Sequence, residues 1–348
     1  MSNTFNPQCP IAVDNEQYIQ LAHGGGGRLM HQLISNVFAR NFANPHLETT
    51  HDSAVLEVEG ARLAFTTDSF VVQPLFFPGG DIGKLAICGT VNDLAMAGAK
   101  PLYLTCAFII EEGFPIDKLQ CIAHSMQTTC QEAGVHLVSG DTKVVDQGKG
   151  DGVFINTAGI GLVPAGRVIS PKQVAEDDII IISGDVGRHG MAVLSVRAGL
   201  AFESSIASDV APLATLTQAA CQAGPVHCLR DLTRGGLATA LCEIASDAGV
   251  SLLINEEQVP IQPEVRSACA LLGLDPLYVA NEGCCVLFVP PAAAQSVLAA
   301  IKATPYGQQA TIIGQVGKHS AGLVEAQSWV GNRRVLDLLS GEQLPRIC

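Results

Sequence analysis

With 348 residues, 48% of them hydrophobic and only 15% charged, the chain has the composition of a compact protein with room for two domains, which excludes a disordered or fibrous one. A net charge of −13 excludes nucleic acid as a partner, because its phosphates demand a basic surface, but it does not exclude a nucleotide held through a divalent cation. Twelve cysteines without one C-x-x-C, most of them in apolar runs, read as buried thiols of a cytoplasmic, reducing compartment and not as a disulfide or zinc framework.

In chain order, residues 1–42 hold a polar lead without the apolar region of a secretory leader, then His23-Gly24-Gly25-Gly26-Gly27 and a helix-like run over Leu29–Phe42. Residues 43–165 read as a first α+β domain. It opens with a hairpin of Ala54–Val58 and Arg62–Thr67 around Glu59-Gly60. Helices are predicted at Ile82–Ala97 and Ile116–Ala133, and strands at Tyr103–Ile110, His136–Ser139 and Val153–Val163. Residues 166–335 form a second α/β domain. Its predicted strands are Ile179–Ser183, Ser251–Ile254, Cys284–Val289 and Ala310–Val316, and its helices Met191–Leu200, Pro212–Cys221, Leu237–Ala248 and Ala292–Ala303. The most apolar stretch, Val286–Ile301, is broken by Pro290-Pro291, so no membrane-spanning helix is expected. Residues 336–348 are read as a mobile tail.

Three features carry chemistry. Four glycines in a row let the backbone approach an anion and turn several N–H groups toward it, so Gly24, Gly25, Gly26 and Gly27 are candidates for phosphate contact. The loop is not a Walker motif; the nearest run, Gly79–Leu85, lacks the spaced first glycine and the Ser/Thr after lysine. Aspartates recur at expected turns between small residues: Asp52, Asp68, Asp93, Asp141 and Asp231. Each alone is an ordinary turn former, but together they suit Mg²⁺ and the phosphates it holds. Finally, the chain ends Leu344-Pro345-Arg346-Ile347-Cys348, a thiol on a short arm stiffened by proline. A terminal cysteine is either incidental or a carrier of an acyl-type group.

These motifs resemble the superfamily of aminoimidazole ribonucleotide synthetase, thiamine-monophosphate kinase and selenophosphate synthetase. The resemblance runs from His23 to the end through Thr66–Ser69, Gly89–Ala95, Gly140–Val145, Ile155–Gly161, Arg230–Gly236 and Ala280–Gly283. The Pro345–Cys348 terminus is similar to that of one branch, the HypE family of hydrogenase maturation factors. The resemblance implies a two-domain aminoimidazole ribonucleotide synthetase-like fold, with the N-terminal domain forming a shared β-barrel in a homodimer, and a C-terminal α/β sandwich. It also implies ATP and Mg²⁺ at the cleft, a carbamoyl group received on Cys348 from HypF, its dehydration to a thiocyanate, and delivery of cyanide to iron on a HypC–HypD complex.

Carried over residue by residue, the metal ligands are Asp52, Asp93, Asp141 and Asp231, and the nucleotide contacts add Asp68, Thr90 and Asn92. Glu282 is favoured as base, Lys143 as the neutraliser of transferring charge, and His23 as a phosphate contact or proton carrier. The family usually has an acidic residue where His51 stands. The tail must reach outward to partners and inward to the cleft, so two tail positions with ATP-dependent populations are expected. Rival readings are a small-molecule ATP-dependent kinase or synthetase with Cys348 idle, and a non-catalytic thiol carrier or scaffold.

Overall fold

The computed structural model describes residues 18–42, 44, 46, 51–199, 206–319 and 322–339. The helix-like run after the glycines is one helical stretch: α1 (Arg28–Leu33), a π turn (Ile34–Phe38) and α2 (Ala39–Asn41). The first sheet contains β1 (Ala54–Val58) and β2 (Ala61–Phe70), joined at Glu59-Gly60 with both residues at positive φ, as a two-residue hairpin turn requires. A short hairpin, β3 (Phe76–Phe77) and β4 (Gly80–Asp81), leads into α3 (Ile82–Met96). Asp81 caps that helix by accepting from the Gly83 and Lys84 amides, which accounts for the P-loop-like run at 79–85. β5 (Lys100–Glu111), α4 (Ile116–Ala133), β6 (His136–Val145) and β7 (Val153–Leu162) complete the domain.

The strand order is β1-β2-β7-β5-β6, antiparallel except for β5 with β6. Alternation assigns the two faces. Ala64, Thr66 and Phe70 of β2 turn toward α3, while Phe65 turns away and lies in register with Ile160 and, through it, Tyr103. That outer face is apolar and bare: Phe65, Tyr103, Ile109, Ile160 and Leu162 are 38% to 50% exposed. The edge strand β6 is exposed along nearly its whole length.

The second sheet contains β8 (Ile179–Ile182), β9 (Cys228–Asp231), β10 (Val250–Asn255), β11 (Cys285–Val289), β12 (Thr311–His319), β13 (Val324–Gln327) and β14 (Arg333–Leu336), in the order β14-β13-β10-β12-β8-β11-β9. Its helices are α5 (Arg188–Arg197), α6 (Ala214–Ala223), α7 (Gly236–Ala248), α8 (Pro263–Leu272) and α9 (Ala294–Lys302). Both faces of this sheet are covered. Ile180, Ile182, Val286 and Phe288 pack with Leu237 and Leu241 of α7, while Ile181, Leu287 and Leu229 join one continuous core with Ile87, Val91 and Leu94 of α3. The two domains foreseen in the sequence thus share a core across their junction. Among the described residues, no helix is long and apolar enough to cross a membrane, and the ten described cysteines are free thiols.

Candidate active site: a buried carboxylate cluster beneath the glycine loop

Three of the candidate aspartates converge. Asp52 lies just ahead of β1, Asp93 in the last turns of α3 and Asp231 at the end of β9, and one oxygen from each falls within 4.8 Å of the others. The elements that bring them together meet at the shared core, so the cluster straddles the domain junction. Asp93 Oδ2 accepts from the Thr66 hydroxyl at 2.8 Å. Asp52 Oδ1 pairs with Arg230 Nε at 3.0 Å, whereas Asp52 Oδ2 is buried with no hydrogen-bond partner among the described residues. The cluster opens into a cavity of about 230 Å³ lined also by Gly26, Thr67, Asp68, Thr233, Arg234 and Glu243.

Burial, then the neighbouring charges, set the protonation. Asp93 is pushed well above the usual carboxylate range by burial and then by Asp231, Asp52 and Asp68. Burial and Asp52 raise Asp231 to about 8, with Arg230 opposing, and burial raises Asp52 to about 6 against the pull of Arg230. Glu282 is also driven well above its ordinary value by burial, then by Asp231 and Asp68, and its Oε1 is another buried oxygen without a partner among the described residues. Such a set of hard oxygens, mutually repelling and partly orphaned, fits a divalent cation. His51 is held near 3 by burial and so is neutral at pH 7; its Nδ1 accepts from the Asp52 amide at 2.8 Å. It adds no charge to the cluster.

The remaining candidates are placed as follows. Asp68 is in mid-strand in β2, not at a turn, and faces the cavity with Oδ1 accepting from the Ser69 amide at 2.7 Å. Asn92 points away from the cavity: its Nδ2 donates to Ala211 O and Glu282 O, and its Oδ1 accepts from Leu213 N, which ties α3 to the Glu282 loop. Thr90 is fully buried against Thr157 between α3 and β7. Gly26, at φ +78°, lies against Arg234, where a Cβ would come within 2.9 Å of that residue's own Cβ, and Gly24 O accepts from Arg234 at 3.4 Å. Gly25 caps the short turn Leu21–Gly24, and His23 Nδ1 accepts from the Gln20 amide at 3.0 Å.

Asp141 and Lys143 form an exposed ion pair at 2.8 Å in mid-strand on β6, with β7 and β5 between them and β2, so one copy of the chain does not bring them to the cluster. The turn expected at Gly140-Asp141 is absent because the β-branched residues Thr142, Val144 and Val145 continue the strand beside β5. Cys348 and the rest of the terminal arm lie outside the described residues.

Not foreseen was the chain of ion pairs behind Asp52. Arg230 bridges Asp52 and Glu243 (2.5 Å), and Glu243 bonds His31 Nε2 at 2.9 Å. The signal lay in Arg230 and Arg234 flanking Asp231, where a cation beside each carboxylate offsets part of the repulsion.

Sequence profiles match the chain on both sides of this site: the N-terminal domain of AIR synthase related protein over residues 50–163 and its C-terminal domain over 175–325. The carbamoyl dehydratase HypE of Bradyrhizobium diazoefficiens is 51% identical over 332 residues, 95% of this chain and 96% of that protein. The HypE of Escherichia coli K12 is 46% identical over 335 residues, 95% of this chain and 99% of that one. The chain belongs to the HypE family.

Solved HypE structures share the fold. The one in a HypE–HypF complex superposes with a TM-score of 0.84 at 48% identity, over 88% of this chain and 99% of that one. A HypE in complex with ATP gives 0.80 at 46% identity, over 94% and 99%. The thiamine monophosphate kinase of Aquifex aeolicus, at 15% identity and a TM-score of 0.65, shares the fold alone.

The raised carboxylates make a test of the cluster. In the folded metal-free chain they bind protons that the unfolded chain releases near pH 4, so stability falls as pH rises from there toward 8. The unfolding midpoint of metal-free protein is expected to drop by several degrees between about pH 5.5 and pH 8, and Mg²⁺ is expected to restore it at pH 8. Asp231→Asn should flatten the slope. A midpoint indifferent to both pH and Mg²⁺ would count against a cation at the cluster.

Proposed function

We infer that this chain is the ATP-dependent carbamoyl dehydratase of hydrogenase maturation: a carbamoyl group borne as a thiocarboxamide on Cys348 loses water and becomes a thiocyanate, the source of the cyanide ligand on the iron of [NiFe]-hydrogenase. The observation that carries this reading is family membership over nearly the whole chain, joined to a buried carboxylate cluster suited to a metal-bound triphosphate.

An amide oxygen leaves poorly. Transfer of the γ-phosphoryl group of ATP to the carbamoyl oxygen gives ADP and a good leaving group; loss of phosphate with removal of the N–H protons then forms C≡N. Phosphoryl transfer is mainly positioning and charge neutralisation. Asp52, Asp93 and Asp231 are assigned to Mg²⁺, which would neutralise the phosphate charge. Gly24 to Gly27 offer backbone N–H groups to the phosphates, with Asp68 and Arg234 beside them. Asn92 and Thr90 act at a distance, by fixing α3 and the Glu282 loop.

Glu282 takes the N–H proton. Burial and its acidic neighbours favour its protonated form, and a cation at those neighbours would ease its action as a base. His23 is assigned to the phosphate side of the loop.

The bare apolar face of the first sheet and the open edge of β6 fit a second copy, and a homodimer closing these sheets into a barrel is our reading. A second copy would bring its own Asp141 and Lys143 to the cluster, completing the ligand set and supplying the cation for the transferring phosphoryl group. Mixing inactive Asp93→Asn and Asp141→Asn subunits should then recover about a quarter of full activity, because half the dimers hold one intact site of two. No recovery after subunit exchange would overturn the shared site. HypF is assigned as carbamoyl donor and a HypC–HypD complex as cyanide acceptor. The free thiols suit the cytoplasm.

A further inference from the structure

The glycine loop has a second side. Gly26 meets Arg234 at the cavity, but Gly27 packs on the carbonyl of Leu339, and a Cβ at position 27 would lie 2.6 Å from that oxygen. The next amide, of Arg28, donates to the same carbonyl at 3.1 Å. The Arg28 guanidinium pairs with Asp337. Asp337 is gripped from a third direction: Tyr278 Oη donates to its carbonyl at 3.0 Å and accepts from its amide at 3.2 Å. Tyr278 closes the turn Pro276–Tyr278, which runs directly into Asn281 and Glu282. The phosphate-side loop, the turn that leads into the Glu282 loop and the root of the C-terminal arm therefore meet at residues 337–339.

We propose that Arg28, Asp337 and Tyr278 are positioning residues that hold the root of the C-terminal arm against the glycine loop, so that the placement of the loop over the cavity and the direction in which the arm departs are set together. The inference rests on the reading that Cys348 carries the reacting group.

From Leu339, nine residues remain to Cys348, a reach of roughly 30 Å when extended. With the root held against Gly27, next to the cavity-lining Gly26, the thiol stays within that reach of the glycine loop, which raises its local concentration near the cavity. Movement of Gly24–Gly27 onto a nucleotide carries Leu339 and Asp337 with it through Gly27 and Arg28. Arg28 and Asp337 are themselves exposed and make no contact with the cavity, so their substitution tests the coupling without touching the reaction centre.

The test is a charge swap in the full-length chain. Arg28→Glu and Asp337→Arg should each slow single-turnover dehydration of the carbamoylated protein about three- to fivefold, with a smaller change in the KM for ATP, and the double variant should recover to within about twofold of the parent. Tyr278→Phe, which removes the backbone grip without altering charge, should lower the rate in the same direction. A second readout does not depend on dehydration: alkylation of the C-terminal peptide, read by mass spectrometry, should respond to Mg-ATP in the parent and the swap, and less in the single reversals. Single reversals that match the parent in both readouts, or a double variant as impaired as the product of the singles, would overturn the proposal. Coupling in the alkylation readout with no loss of water from the parent would uphold the positioning role and reject the dehydratase reading instead.

Discussion

Asp93→Asn is expected to make the metal-free chain more stable and to leave it almost inactive. Asp93 is the member of the cluster most burdened by its neighbours: it is half-buried, faces Asp231, Asp52 and Asp68, and has the Thr66 hydroxyl as a compensating donor. An amide of the same shape removes a repelling charge and keeps an acceptor for Thr66, so at pH 8 the unfolding midpoint without metal should rise by a few degrees. The same change takes a hard anionic ligand from the cation proposed to neutralise the triphosphate. The rate of ATP-dependent dehydration should fall by about a thousandfold, and the Mg²⁺-induced rise in midpoint should shrink. Opposite signs for stability and activity mark a site built against its own folding preference. A variant that lost both would show Asp93 to be a packing residue. The measurements are a melting curve with and without Mg²⁺ and a single-turnover rate.

Glu282→Gln should act later in the reaction. The side chain is buried, its Oε1 has no partner among the described residues, and its loop is fixed by Asn92 through the Glu282 carbonyl and by Asp209, whose carboxylate accepts the Glu282 and Gly283 amides at 3.2 and 3.0 Å. Gly283 is required there, since a Cβ would fall 1.9 Å from the Asp209 carbonyl. Glutamine keeps the shape but cannot take a proton, so dehydration should slow by about 10²–10⁴-fold. ATP binding should change little. ADP formation that persists without thiocyanate would place Glu282 after phosphoryl transfer, and an unaltered rate of dehydration would remove it from the role of base.

Much of this architecture was legible from local patterns. The Glu59-Gly60 turn, the helix over Ile116–Ala133 and the apolar run at Ile179–Ile182 carried their own signals of turn chemistry and periodicity. The helix Pro263–Leu272 was missed although Pro263 opens it and Gly273, at positive φ, closes it. Asp68 and Asp141 have the sequence context of turn residues, since aspartate is disfavoured in strands, yet long-range pairing with β7 and β5 keeps both in register.

The domain junction was illegible for a physical reason. Ile179–Ile182 is buried on both faces, so no alternation tells which face belongs to which core, and one face proves to be shared with α3. The cluster shows the same limit. Its members were identifiable as candidates, but only the packing of α3 against β9 sets Asp93 beside Asp231 and leaves Asp141 on a distant edge.

The most direct measurement is the intact mass of the carbamoylated chain before and after Mg-ATP, with Cys348→Ala in parallel. On the dehydratase reading, only the parent gains a carbamoyl group on its C-terminal peptide, and this peptide then loses the mass of one water when ATP is added. ATP consumed with no change in the mass of that peptide would contradict it, and would make the chain an enzyme acting on a free small molecule.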